Sequence, residues 1–276
     1  MMAVSSAGIS DLEYKARELR KLIIQMVTEG GLGHVGPALS CADIITCLYG
    51  DIMNIDPSNP RADDRDRFIL SAGHKCAALY CILALQGFFP MDTLKTYLQE
   101  DSLLGGHPVL GLPGVEFPTG SLGHGLSIGA GMALAARLCN KNHKVYVLLG
   151  DGELAEGTVW EAAMAAGHYN LTNLVAIIDR NTLQCDGRTE DVMSLEPLAS
   201  KWESFGWGVR TVNGHDMNEL RSALSMVPVV GGKPTVVIAR TRKGRGVSFI
   251  EDRREWHYRA PSQEEAIRAL KELEAR

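Results

Sequence analysis

The segment NHKVYVLLGDGELAEGTVW (residues 142–160) carries five apolar residues, Val145 to Leu149, straight into Gly150-Asp151-Gly152. An apolar run of that length reads as a buried strand, and it ends in a carboxylate between two glycines. The pattern repeats beyond it. Strand 144–149, helix 155–167, strand 174–178, helix 195–204, strand 207–212, helix 216–226 and strand 235–239 follow one another. Short, continuously apolar strands separated by helices predict an α/β fold, a parallel sheet with helices on both faces. Neither an internal repeat nor a linker is evident, so residues 1–276 are read as one domain.

Upstream, Ser10 and Glu13 have the spacing of a capping box ahead of Leu12, Ala16, Leu19, Ile23 and Met26. Gly30-Gly31 is expected to stop that helix. Further helices are expected over Ser40–Tyr49, stopped by Gly50, over Lys75–Gln86, ending at Gly87, and over Asp92–Gln99. RFILSAGH (67–74) reads as a strand leading into a turn. Residues 101–120 form a long loop: between Gly105 and Pro118, half the positions are glycine or proline. Long ordered loops are often functional, a linker being the other reading. A Gly- and Ala-rich helix over Leu122–Leu138 follows. The chain closes on an amphipathic helix capped by Ser262 and Glu265.

Of the 276 residues, 45% are hydrophobic and 22% charged, as in an ordinary globular protein. A net charge of −5 gives no general attraction to nucleic acid or to an anionic membrane. No apolar run reaches the length of a membrane span. The N-terminus has no basic segment followed by an apolar core, so a cytoplasmic protein without a secretory signal is expected. Six scattered cysteines, none in a CxxC pair, read as small buried hydrophobes.

Ligands of open parallel sheets bind beyond the carboxyl ends of the strands, where Asp151 stands. The next strand ends in Asp179-Arg180-Asn181, and one strand–helix–strand unit separates Asp151 from Asn181. A carboxylate and an amide oxygen suit a hard divalent cation such as Mg²⁺, completed by water, a carbonyl and substrate phosphates. The pair therefore points to a diphosphate held through a metal. Asp-Gly is also a common hairpin turn, and Asn after a strand is common turn chemistry. No GxGxxG follows any strand, which argues against a dinucleotide.

Gly150-Asp151-Gly152 followed by Asn181 resembles the thiamine diphosphate motif. GDGELAEGTVWEAAMAAGHYNLTNLVAIIDRN, GLGHVGPALSCADI (32–44), RFILSAGHKCAALY (67–80), GGHP (105–108) and FPTGSLGHGLSIGAGMA (117–133) resemble the cofactor half of transketolases. The resemblance implies thiamine diphosphate with Mg²⁺ (Ca²⁺ or Mn²⁺ would also serve). It implies Asp151, Asn181 and the Leu183 carbonyl as metal ligands, Gly152 against the diphosphate, and Gly120, Ser121 and Leu122 as a cofactor loop. Glu156 and Glu161 match acids near the cofactor and the subunit interface; a solvated helix face is their other reading. His34, His107 and His257 match catalytic histidines that bind substrate and assist proton transfer, and His74 matches a cofactor-binding one. Three positions depart from the family: His124 stands where relatives have Gln, Tyr258 where they have Gly, and Val35 where many have Pro. Complete transketolases are roughly twice as long. The chain thus resembles the N-terminal subunit of a split transketolase, moving a two-carbon ketol unit from a ketose phosphate to an aldose phosphate. It would be active only with a C-terminal partner that carries the pyrimidine-binding domain, as an α2β2 assembly. The alternatives are a related thiamine diphosphate enzyme on another sugar and a non-catalytic partner protein.

Overall fold

The structure, a computed structural model, describes residues 8–275. The start of the N-terminal segment, read above as no secretory signal, lies outside them. Five strands, β1 (Arg67–Leu70), β2 (Val145–Gly150), β3 (Leu174–Arg180), β4 (Gly208–Asn213) and β5 (Thr235–Arg240), form one sheet in the order β1-β2-β3-β5-β4. Every neighbouring pair is parallel.

Strand alternation splits the core in two. Phe68, Leu70, Tyr146, Leu148, Val175, Ile177 and Val237 point to one side. There they pack under α1 (Ile9–Gly30), α2 (Val35–Ser40), α3 (Ala42–Cys47) and α4 (Cys76–Gln86). Val145, Val147, Leu149, Ala176 and Ile178 point to the other, under α5 (His124–Leu138) and α6 (Gly157–His168). The short helices α7 (Thr189–Val192) and α8 (Leu198–Ser204) follow β3. α9 (Met217–Ser225) and α10 (Gln263–Glu274) complete the first side. Each large aliphatic side chain buried this way contributes about 1.5–3 kcal/mol, which is why β2 and β3 are built mainly of apolar residues. The expected α/β fold with both faces covered is what forms.

Local expectations fare unevenly. α10 is capped by Ser262 and Glu265 as read. α1 is not capped by Ser10. The amide N–H groups of Asp11 and Leu12 both bond to the carbonyl of Gly8, so the helix begins earlier and Ser10 lies inside it. The single helix expected over Ser40–Tyr49 is replaced by α2 and α3, followed by a π-helical turn over Leu48–Ile52 that runs through Gly50. Pro37 sits in the first turn of α2, where its missing N–H costs nothing. Asp92–Gln99 contracts to a 3-10 turn over Met91–Thr96. The helix expected from residue 155 starts at Gly157, because Gly152–Ala155 form a 3-10 turn capped by Asp151. The one expected from residue 195 starts at Leu198. All six cysteines are free thiols, four of them buried.

The α6–α8 contact is the tightest backbone approach. A Cβ on Gly167 would lie 1.9 Å from the Phe205 carbonyl oxygen, whereas one on Gly157 meets nothing within 4 Å. Gly167→Ala should therefore lower stability in urea unfolding by about 1–3 kcal/mol, with Gly157→Ala within about 0.5 kcal/mol of the parent. Equal stabilities for the two variants would contradict this packing.

Candidate active site

Parallel pairing sets Gly150 of β2 beside Asp179 of β3. The residues that follow, Asp151 and Asn181, consequently leave the sheet side by side at its carboxyl edge. A cleft of about 370 Å³ opens there, lined by Asp151, Gly152, Asn181 and Leu183 on one side. His34, His74, His107 and His257 line the other side, with Gly120 and Leu122 also on the wall. The structure thus gathers the sequence-identified histidines, strand-end ligands and loop glycine at one place. Ser121, Glu156 and Glu161 are exposed and do not line the cleft. Glu156 is the residue before α6, and the Ser121 carbonyl contacts His124 Nδ1 at 3.1 Å.

Under the cleft lies Asp179, with 0% of its surface exposed. Its carboxylate accepts hydrogen bonds from Lys75 Nζ, Ser40 Oγ and Thr241 Oγ1. Burial alone would raise the carboxyl; the Lys75 ammonium and these hydrogen bonds outweigh burial and hold it below the usual aspartate value. Burial would likewise lower Lys75, and Asp179 keeps it above the usual lysine value. The pair ties the turn after β1, the end of α2, β3 and the end of β5 into one floor.

Asp151 is also buried. Its Oδ1 accepts from the Gly152 amide at 2.9 Å, and its Oδ2 accepts from the Thr182 amide and, at 3.2 Å, from Arg180 Nη1. Burial, then the neighbouring Asp179, raise its pKa. Among the described residues no three His, Cys, Asp or Glu side chains converge as a metal site. The donors that fit are one carboxylate, the Asn181 amide and the Leu183 carbonyl, a hard-oxygen set that leaves positions for phosphate oxygens and water.

Glu153 locks the loop above. Oε1 accepts from Ser71 Oγ and the Gly123 amide, and Oε2 accepts from the Gly150 amide at 3.0 Å. One side chain thereby fixes the ends of β1 and β2 to the start of α5. Opposite, Lys243, 1% exposed, contacts His257 Nδ1 at 2.9 Å.

The imidazoles form an aromatic cluster. The His34 ring lies 5.1 Å from His74, 6.3 Å from His107 and 5.5 Å from His257. Burial first, then nearby His107 and Lys243, push His34 down to about 4. Burial first, then Lys243, push His257 down to about 3. His74 is lowered chiefly by burial, then Lys75, and His107 is lowered by burial. Neutral imidazoles, each with one donor and one acceptor nitrogen, suit hydroxyl recognition and proton transfer. Tyr258, 54% exposed, lays its ring 4.4 Å from that of His34. His143, His168 and His215 stay outside the cleft. His215 instead bridges Asp43 and the Arg242 amide.

Sequence reasoning missed Lys75, Glu153, Asp179 and Lys243. A lysine entering an apolar helix, and an acid closing an apolar strand, were the available signals.

Comparisons with known proteins agree with this geometry. The profile described as "Transketolase, thiamine diphosphate binding domain" matches residues 13–274. An apulose-4-phosphate transketolase subunit of Phocaeicola vulgatus is 43% identical over 268 residues, covering 97% of this chain and 95% of that one. The 6-deoxy-6-sulfo-D-fructose transketolase subunit of a Clostridium species is 41% identical over 265 residues, 96% of either chain. Among solved structures, the transketolase of Leishmania mexicana superposes with a TM-score of 0.91 at 33% identity, covering 98% of this chain and 42% of that one. The chain therefore spans nearly all of those two relatives and about two fifths of the Leishmania transketolase.

Two outcomes follow for the site. Lys75→Met, which strands the Asp179 carboxylate, should cost about 3–5 kcal/mol in urea unfolding, and Lys75→Met/Asp179→Asn should recover much of it. A double variant no more stable than the single one would dismiss the pair as the floor's anchor. The second concerns pH. An imidazole held neutral by the fold binds fewer protons than the unfolded chain, so its contribution to stability is complete above the ordinary value of 6.5 and is lost as pH falls toward 4. His34→Asn should flatten that part of the stability-against-pH curve; an unchanged slope would remove the assignment.

Proposed function

The chain belongs to the transketolase family, as its thiamine diphosphate-binding domain, and from that premise we propose that it is the N-terminal subunit of a two-chain transketolase. The reaction is transfer of a two-carbon ketol unit from a ketose phosphate, or a ketose with a comparable anionic tail, to an aldose phosphate. The observation that supports it most is the meeting, in one cleft, of the hard oxygens of Asp151, Asn181 and Leu183 with four imidazoles.

Thiamine diphosphate supplies the electron sink that allows a ketose carbon–carbon bond to break. The rest is done by this chain. Asp151, Asn181 and the Leu183 carbonyl would hold Mg²⁺ and, through it, the diphosphate. Gly152 and Gly120 would let the backbone approach it, and Lys75 would add positive charge beneath. His74 packs against the cofactor. His34, His107 and His257 hydrogen-bond the sugar and move protons at its carbonyl and hydroxyl oxygens. Ser121, Leu122, Glu156 and Glu161 complete the cofactor loop and the face toward the other chains of the assembly. The pyrimidine-binding domain comes from a partner chain, two of each joining in the cytoplasm, with residues 1–276 acting as a single diphosphate-binding domain. The relatives' names, apulose 4-phosphate and 6-deoxy-6-sulfo-D-fructose, favour a donor other than the common pentose phosphates.

Reconstitution tests this. The chain is mixed with a protein carrying a pyrimidine-binding domain, thiamine diphosphate and Mg²⁺, and ketol transfer is followed from a panel holding xylulose 5-phosphate, apulose 4-phosphate and 6-deoxy-6-sulfofructose. Activity is expected only with the partner present. Asp151→Ala should weaken Mg²⁺-dependent cofactor binding, read by calorimetry, by roughly a hundredfold or more, since even an outer-shell partner is worth about 10–100-fold. Transfer by the chain alone would sink the two-chain reading, and unchanged affinity in Asp151→Ala would sink the metal site.

A further inference from the structure

Lys243 is a cation with almost no contact with water, 1% exposed, on a segment held rigidly. Its carbonyl accepts from the Asp252 amide at 2.9 Å, and the next residue, Gly244, donates its amide to the Gly36 carbonyl at 3.0 Å. The side-chain stem lies against α2. A Cβ on Gly36 would stand 3.2 Å from Lys243 Cγ and 2.6 Å from the Trp256 carbonyl. A glycine at position 36 therefore lets the lysine and the His257 segment close on the same helix. His257 is fixed from its own side. Its amide bonds to the Arg254 carbonyl at 2.8 Å, and two residues on Arg259 pairs with His34 as a parallel bridge. The 2.9 Å contact between Lys243 Nζ and His257 Nδ1 thus joins two braced side chains.

The chemistry of the two groups leaves one arrangement. An ammonium has three N–H donors and no acceptor. His257 Nδ1 must then offer its lone pair, and a neutral imidazole that accepts at Nδ1 carries its proton on Nε2. Among the described residues Nε2 has no hydrogen-bond partner, and His257 lines the cleft. We propose that Lys243 is a positioning residue that fixes His257 as the Nε2–H tautomer, so that His257 meets a substrate oxygen as a hydrogen-bond donor and not as a base. The role toward substrate rests on the transketolase reading; the tautomer does not. The ionisation states agree with this. Burial lowers Lys243 to about 8, which leaves it cationic at neutral pH, and holds His257 far below neutrality. The pairing also divides labour: His34 and His107, which carry no such partner among the described residues, keep both tautomers and remain able to take up a proton.

Nitrogen-15 NMR of the imidazoles tests this on the chain alone, at pH 7, without cofactor or partner. The expected spectrum has His257 protonated at Nε2 and bare at Nδ1, with signals of both tautomers in Lys243→Met. A parent chain with its proton on Nδ1 would overturn the proposal, as would a Lys243→Met spectrum identical to the parent's. The reconstituted enzyme provides the second arm. His257→Ala should lower kcat by about 100-fold, as loss of a directed donor does, and Lys243→Met by about tenfold. The double variant should be no slower than His257→Ala, because the lysine acts through the histidine; multiplying losses would show that it does not. Should every ketose fail in reconstitution, the transketolase reading falls while the NMR result still decides the tautomer.

Discussion

Everything at the carboxyl edge of the sheet depends on neutralising one acid with no access to water. Asp179 lies near the end of β3, after five aliphatic residues and before the buried Arg180, and an unpaired carboxylate there would cost several kcal/mol. Lys75 answers the charge, Ser40 and Thr241 answer the remaining lone pairs, and these partners arrive from α2, from the turn after β1 and from the end of β5. The ends of separate segments are thus brought to one point by electrostatic necessity. The cleft is the space left above that point. Breaking the pair would loosen the floor on which Asp151, Asn181 and Lys243 all stand.

The cleft has two chemically distinct walls. The strand ends present acids and hard oxygens, poised for a cation and a phosphate. The loops after α1, β1 and β5, together with the long Gly- and Pro-rich loop, present imidazoles kept neutral by burial. Lys75 and Lys243 lie between these walls. On the proposed reading one wall would hold charge and the other would read hydroxyl groups, and the division follows from topology. Parallel strands place their carboxyl ends together, while crossover loops of differing length arch over them.

Much of this was legible in the sequence, for identifiable reasons. The β–α order could be read because β2 and β3 are buried along their whole length and open on unbroken apolar runs. Asp151 and Asn181 could be paired because one strand–helix–strand unit places neighbours at the same edge. His34 and His107 stood out in Gly-rich loops. The floor was not legible, because Lys75 and Asp179 are 104 residues apart and nothing local to either names the other as its partner. Glu153 was missed because its role depends on the Ser71 hydroxyl and the Gly123 amide, both distant in the sequence. Ser10 was misread because a hydroxyl at cap spacing competes with apolar periodicity, and burial of Leu12 and Ala16 let the helix start earlier. The Ser40–Tyr49 region was misread because its apolar run gives no sign of the break at Cys41, where the backbone leaves the helical region between α2 and α3.

The neutrality of the four imidazoles bears on how the cleft responds to its surroundings. Dissolved ions screen exposed charges over about 10 Å at 0.1 M and hardly touch hydrogen bonds between neutral groups. On the proposed transketolase reading, recognition of sugar hydroxyls by His34, His107 and His257 would therefore be insensitive to ionic strength. Any attraction that weakens with added salt must come from exposed charged groups that draw the anionic tail of a sugar toward the cleft. Ionic strength would then alter how fast a substrate arrives and leave unchanged how its hydroxyls are read.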